Sequence, residues 1–119
     1  MLSRGESGWT KLYLYATINL LGEARQLLDS AKELEVLSEI VDKTCDLGCT
    51  PLWAASKFGH HKIVELLLQY GANVDKAGND GSTPLMTAAR EGHLDVFNVL
   101  IENGADVREM GKWTMEVMR

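Results

Sequence analysis

Gly48-Cys49-Thr50-Pro51-Leu52 returns 33 positions later as Gly81-Ser82-Thr83-Pro84-Leu85. A fixed period of this size marks an array of stacked units. The register holds well past the motif. Ala55 answers to Ala88, Gly59-His60 to Gly92-His93, Leu67 to Leu100, Gly71-Ala72 to Gly104-Ala105, and Val74 to Val107.

Each unit reads as a short helix, a turn and a second helix. Thr50 and Thr83 suit the N-cap position, and Pro51 and Pro84 suit the first helical position, where a missing N–H costs nothing. The spacing predicts helices over Pro51 to Phe58 and Pro84 to Glu91, ended by Gly59 and Gly92. Second helices follow from His61 to Tyr70 and from Leu94 to Asn103, with Gly71 and Gly104 as stops. Ile63, Val64, Leu66, Leu67 and Leu68 are crowded enough to bury most of the first of these. Gly78, Asn79 and Asp80 favour a tight turn, so Asn73 to Asp80 is expected to project as a hairpin between units.

These residues resemble ankyrin repeats. TPLWAASKFGHHKIVELLLQYGANVD and TPLMTAAREGHLDVFNVLIENGADV carry the TPLxxA motif, the Gly-His pair and the Gly-Ala-x-Val ending together, twice, at that family's period. The resemblance implies an all-α solenoid of helix-turn-helix units with hairpin loops. It also implies two departures. Trp53 and Met86 stand where the family usually has His, which removes a hydrogen bond within the turn. Gly78 stands where an Asp is common, which predicts a looser tip.

The expected organisation is a single domain over 1–119, with repeats at 48–80 and 81–110, a degenerate first repeat at 9–43 and an irregular tail at 111–119. In the first repeat, helical patterns run from Trp9 to Leu21 and from Ala24 to Val41, with Leu27, Leu28, Leu34, Leu37, Ile40 and Val41 on one face. Counting from Gly22 to Thr50 gives 28 positions against 24 from Gly59 to Thr83, which predicts a small insertion around Ser30 to Leu34. This first unit is loosely similar to the amino-terminal repeat of the Fem family of ubiquitin-ligase substrate receptors. After Val107 the period fails. Either Trp113, Met115, Val117 and Met118 fold back as a cap, or the array is truncated and Phe97 and Leu100 face an uncapped end.

Composition narrows the function. With 45% hydrophobic and 24% charged residues the chain has material for a core, and its net charge of −5 lacks the basic surface that a phosphate backbone or an anionic membrane would need. Leu12 to Leu21 is too short to span a bilayer. Cys45 and Cys49 read as reduced thiols, and they complete no zinc-ligand spacing with His60, His61 or His93. A cytoplasmic location, or a nuclear one, follows, with no metal and no cofactor.

Catalysis finds no support. His60 and His93 repeat at one position, so a shared structural demand explains both, and no orienting constellation surrounds either. The stretch from Gly104 to Trp113 has the wrong glycine spacing for a phosphate loop and Trp113 where a hydroxyl is needed. Asp46 and Asp80 are repeat-surface carboxylates whose separation would follow the stacking of the units, so they give no independent support for an acid–base pair. Cys49 lies just before a helix N-terminus, a place that can lower a thiol pKa and suit a redox or modification role, but an ordinary loop thiol is the better reading.

The expected function is therefore non-catalytic binding of a protein or peptide, by a monomer, on the concave surface of inner helices and hairpins. The resemblance places the contact positions just before TPL and just before Gly-His. In this sequence they are Asp46, Leu47, Cys49, Lys57 and Phe58, then Asn79, Asp80, Ser82, Arg90 and Glu91. Phe58 either fills a partner's pocket or packs on Arg90 or Glu91 of the next unit. Lys57 and Arg90 share a repeat position and form a small basic spot suited to an acidic peptide. Two alternatives stay open: the first repeats of a ubiquitin-ligase substrate receptor, or a spacer within a longer array.

Overall fold

The computed structural model describes residues 10–45 and 48–107, and these form seven helices and no strand. Trp9, Asp46, Leu47 and the tail from 108 onward, with its capping residues, lie outside the described residues.

Three helices begin identically. The hydroxyls of Thr10, Thr50 and Thr83 accept the N–H groups of Tyr13 (3.0 Å), Trp53 (3.1 Å) and Met86 (3.3 Å). These caps start α1 (Lys11–Ile18), α4 (Pro51–Lys57) and α6 (Pro84–Glu91). α1 and α6 each pack on α4, so the three form one layer. The second layer consists of α2 (Leu21–Glu33), α5 (His61–Gln69) and α7 (Leu94–Glu102), with α2 and α7 against α5. The core between the layers includes Leu12, Leu28, Leu52, Leu67, Leu85 and Leu100, all fully buried.

The first unit departs from its expected register. Thr10-Lys11-Leu12-Tyr13 occupies the place of Thr50-Pro51-Leu52-Trp53, and Asn19 (φ +63°) takes the left-handed position of Gly59 (φ +77°). Gly22 therefore lies inside α2 and is not the counterpart of Gly59. Thr10 to Thr50 is 40 positions against 33 from Thr50 to Thr83, so the insertion is seven residues, not the four counted from Gly22. Four of them lengthen α2 to 13 residues, against nine in α5 and α7. The others fall in the stretch with the short α3 (Leu37–Ile40).

The helix expected from Ala24 to Val41 is thus two helices. Glu35 adopts φ +61°, which breaks the run and leaves Leu34 exposed, away from the face assigned to it. At the far end Leu100 is fully buried within its own unit and Phe97 partly so. The apolar surface there comes instead from Leu94, Ile101 and Val107.

Three kinds of polar tie repeat along the stack. His60 Nε2 donates to the Thr17 carbonyl (3.0 Å) and His93 Nε2 to the Lys57 carbonyl (2.9 Å). The sequence separations are 43 and 36, and the difference of seven is the insertion again. Asp42 accepts the N–H of Asn73, and Asp75 that of Asp106, each across 31 residues. Tight turns at equivalent places are closed by Cys45 N–H to the Cys49 carbonyl and by Gly78 N–H to the Ser82 carbonyl, both at 3.0 Å.

Candidate functional site

Of the expected contact residues, Lys57 and Phe58 stand at the end of α4, and Asp80, Arg90 and Glu91 come together at the end of α6. Lys57 lies in the last turn of α4, one helical turn after Trp53, and that spacing puts both on one face. Its Nζ stands 5.4 Å above the Trp53 ring and 5.6 Å from the centre of the Phe58 ring. Two aromatic faces thus hold an ammonium that would otherwise sample many rotamers. Phe58 caps α4 and is 46% exposed. Its ring stacks on His60 at 6.5 Å, within its own unit.

The equivalent pair in the next unit differs in character. Arg90 lies between Asp80 (4.0 Å) and Glu91 (3.7 Å), and all three are exposed. Exposed pairs of this kind add little stability, but they cancel charge locally. The basic spot expected from Lys57 and Arg90 therefore reduces to Lys57, because two carboxylates outweigh the guanidinium beside it. Asp80 also receives the Ser82 N–H, and that bond, more than Arg90, holds its carboxyl below the usual range. Asn79 is exposed at the same tip.

Cys49 and Ser82 point the other way. Both are more than nine-tenths buried, so they shape the turns and present almost no surface. Cys49 belongs to a small cluster with Tyr13, Cys45, Trp53 and Ala54. Burial pushes its thiol pKa up, which outweighs any pull from the neighbouring helix start. Tyr13 is raised as well, first by burial and then by Cys45.

Both groups are thus neutral in the folded cluster at a pH where they ionise in the unfolded chain. Stability from them is complete below the ordinary thiol and phenol pKa values, roughly 8.5 and 10, and is lost as pH rises beyond. Melting followed by circular dichroism should show the midpoint falling from about pH 9 upward, with a shallower fall in Tyr13→Phe. Equal slopes would remove this cluster as the cause.

Trp53 is 9% exposed, more deeply set than a half-buried position between units. Gly78 accounts for this. A Cβ there would lie 3.1 Å from Trp53 Nε1 and 3.2 Å from Cys49 Sγ. The glycine thus makes room for the indole, and the turn around it is closed by Gly78 N–H to the Ser82 carbonyl and by Gly81 N–H to the Gly78 carbonyl.

One pair of surface residues escaped the sequence reading. With Thr10 aligned to Thr50, Thr17-Ile18 occupies the place of Lys57-Phe58, and Ile18 is 60% exposed, with Leu14 one turn earlier at 41%. The signal was Thr10-Lys11-Leu12, a TPL without its proline. The two histidines that recur are structural ties. Among the described residues no group of three or more His, Cys, Asp or Glu side chains is arranged to hold a metal ion, and no helix is long and apolar enough to cross a membrane.

A family model described as "Ankyrin repeats (3 copies)" matches residues 15–110. The human (Homo sapiens) oxysterol-binding protein-related protein 1 is 44% identical over 55 residues, a stretch that covers 44% of this chain and 6% of that protein. The chain thus aligns with only a small part of the length of this curated relative.

Proposed function

The chain belongs to the ankyrin-repeat family, whose members generally bind other proteins and are generally non-catalytic, and from that premise we propose that it holds a protein or peptide against the exposed ends of its inner helices. The observation that carries this reading is the Lys57–Phe58 pair. A large aromatic that is 46% exposed, beside a cation fixed over two rings, has the makings of an interface anchor. Asn79, Asp80, Arg90 and Glu91 form a charged rim beside it, while Cys49 and Ser82 act from beneath by setting the turns. Asp46 and Leu47 lie outside the described residues, and their part in binding is proposed from their place in the repeat motif alone.

The partner in this reading is neither a nucleic acid nor a membrane, and the net charge of −5 supports that exclusion. The module acts as a monomer in the cytoplasm or nucleus. Its test is capture from cell lysate by the native chain and by Lys57→Glu/Phe58→Ala/Arg90→Glu/Glu91→Lys, after circular dichroism has shown equal helicity. A protein retained by the native chain should fall at least about tenfold with the variant, the loss expected when central anchors are removed. Identical capture by both would favour a spacer within a longer array.

A further inference from the structure

We propose that the ligand of this surface is a peptide segment with a carboxylate side chain next to a bulky apolar one, running from Lys57 toward the first unit; this rests on the binding role proposed above. Lys57 takes the carboxylate. Phe58 and Ile18 take the apolar side chain.

Charge sets the direction. The ion pairs among the described residues are the two made by Arg90, so among these residues Lys57 is a cation with aromatic neighbours and no paired carboxylate. Aromatic faces do not neutralise an ammonium. They hold it partly desolvated, which strengthens its attraction for an incoming anion. Toward α6 that anion would meet Asp80 and Glu91, which already outnumber Arg90. Toward α1 the equivalent positions carry Thr17 and Ile18, with no charge, and the Thr17 hydroxyl already donates to the Tyr13 carbonyl at 2.9 Å.

Geometry joins the apolar parts. The His60 ring stacks on Phe58, and its Nε2 donates to the carbonyl of Thr17, the residue before Ile18. His60 therefore links Phe58 to the residue that precedes Ile18 across the junction of the first two units. Phe58 and Ile18 are 46% and 60% exposed, with Leu14 alongside on α1. A shelf of this composition, with a single positive charge at one edge, complements an acidic residue adjoining Leu, Ile, Phe or Trp. A purely acidic peptide would leave the shelf uncovered, and a purely apolar one would desolvate Lys57 without a partner.

Selection of a displayed library of random dodecapeptides on the native chain tests this directly. Enriched peptides should place Asp or Glu within two positions of a bulky apolar residue. The same selection on Lys57→Glu should lose the acidic preference in favour of Lys or Arg. For synthetic copies of the selected peptides, measured by fluorescence anisotropy, Lys57→Gln and Ile18→Ser should each weaken binding by about tenfold. Arg90→Gln should change it less than about twofold, as expected for a rim charge. Enrichment of another pattern, or dependence on Arg90 and not on Ile18, overturns this inference and leaves the binding role standing. A library that yields no enrichment overturns it too, and the lysate capture then decides whether the broader reading falls with it.

Discussion

Leu67→Ala is expected to remove about 2–5 kcal/mol of stability, enough to leave much of the chain unfolded at modest urea concentrations. Leu67 is fully buried in α5, which packs on α2, α4 and α7. In a solenoid each unit is stabilised by its neighbours, so a cavity in the middle unit weakens both junctions at once. Three units is about the minimum for a stable array, and a domain of this size has roughly 5–15 kcal/mol in hand. With a urea dependence of about 1–3 kcal/mol per molar, the midpoint should drop by about 1 M or more. Leu94→Ala, at a residue 71% exposed, supplies the contrast and should shift stability by no more than about 0.5 kcal/mol. A Leu67→Ala midpoint within experimental error of Leu94→Ala would refute the assignment of α5 as the keystone of the core.

The last two units were legible because their signals are local and chemical. A threonine cap, a proline at the first helical position and a glycine at the stop each dictate backbone geometry within a few residues, and α6 has the bounds those signals predict. The first unit was misread because it satisfies the same geometry with other residues. Lys11 replaces the proline, and Asn19 replaces the glycine at the left-handed stop, a substitution asparagine tolerates better than most. Gly22 then drew the register to itself without meeting any steric demand, for a Cβ there would touch nothing. The seven-residue insertion follows once the Thr10 cap sets the register, and the two histidine ties show the same difference across the stack.

The exposure of the candidate residues was easier to read from the sequence than their surroundings. Phe58, Arg90 and Glu91 are exposed and Lys57 partly so, at the ends of α4 and α6. Spacing alone did not reveal that Arg90 is balanced by Asp80, nor that Phe58 stacks on His60, since both depend on side-chain geometry. The departures at Trp53 and Gly78 looked independent in sequence. In the fold they are one feature, because the glycine leaves the space that the indole fills. Cys49 illustrates a limit of another kind: its position in the repeat suggests surface, whereas the indole, Tyr13 and Cys45 around it make it core.

Gly59→Ala is expected to destabilise the chain by about 2–3 kcal/mol, and Gly92→Ala by only about 1–2 kcal/mol, although the two glycines are equivalent and share nearly the same φ, +77° and +78°. The left-handed conformation is equally unfavourable for alanine at both. The difference comes from what lies above the Cα. A Cβ at Gly59 would stand 2.7 Å from His93 Nδ1 and 2.8 Å from Cε1, whereas at Gly92 it would meet nothing within 4 Å. The His93 ring would have to move, and it would surrender its 2.9 Å bond to the Lys57 carbonyl, worth about 0.5–1.5 kcal/mol. That bond ties the second unit to the third, so amide exchange should accelerate in α6 and α7 more than in α1. Adding His93→Ala to Gly59→Ala isolates the effect. If the ring is the obstacle, the double variant loses less than the two single losses combined, by about the value of that hydrogen bond. Additive losses, or equal losses at Gly59 and Gly92, would mean that the histidine does not rest on the glycine.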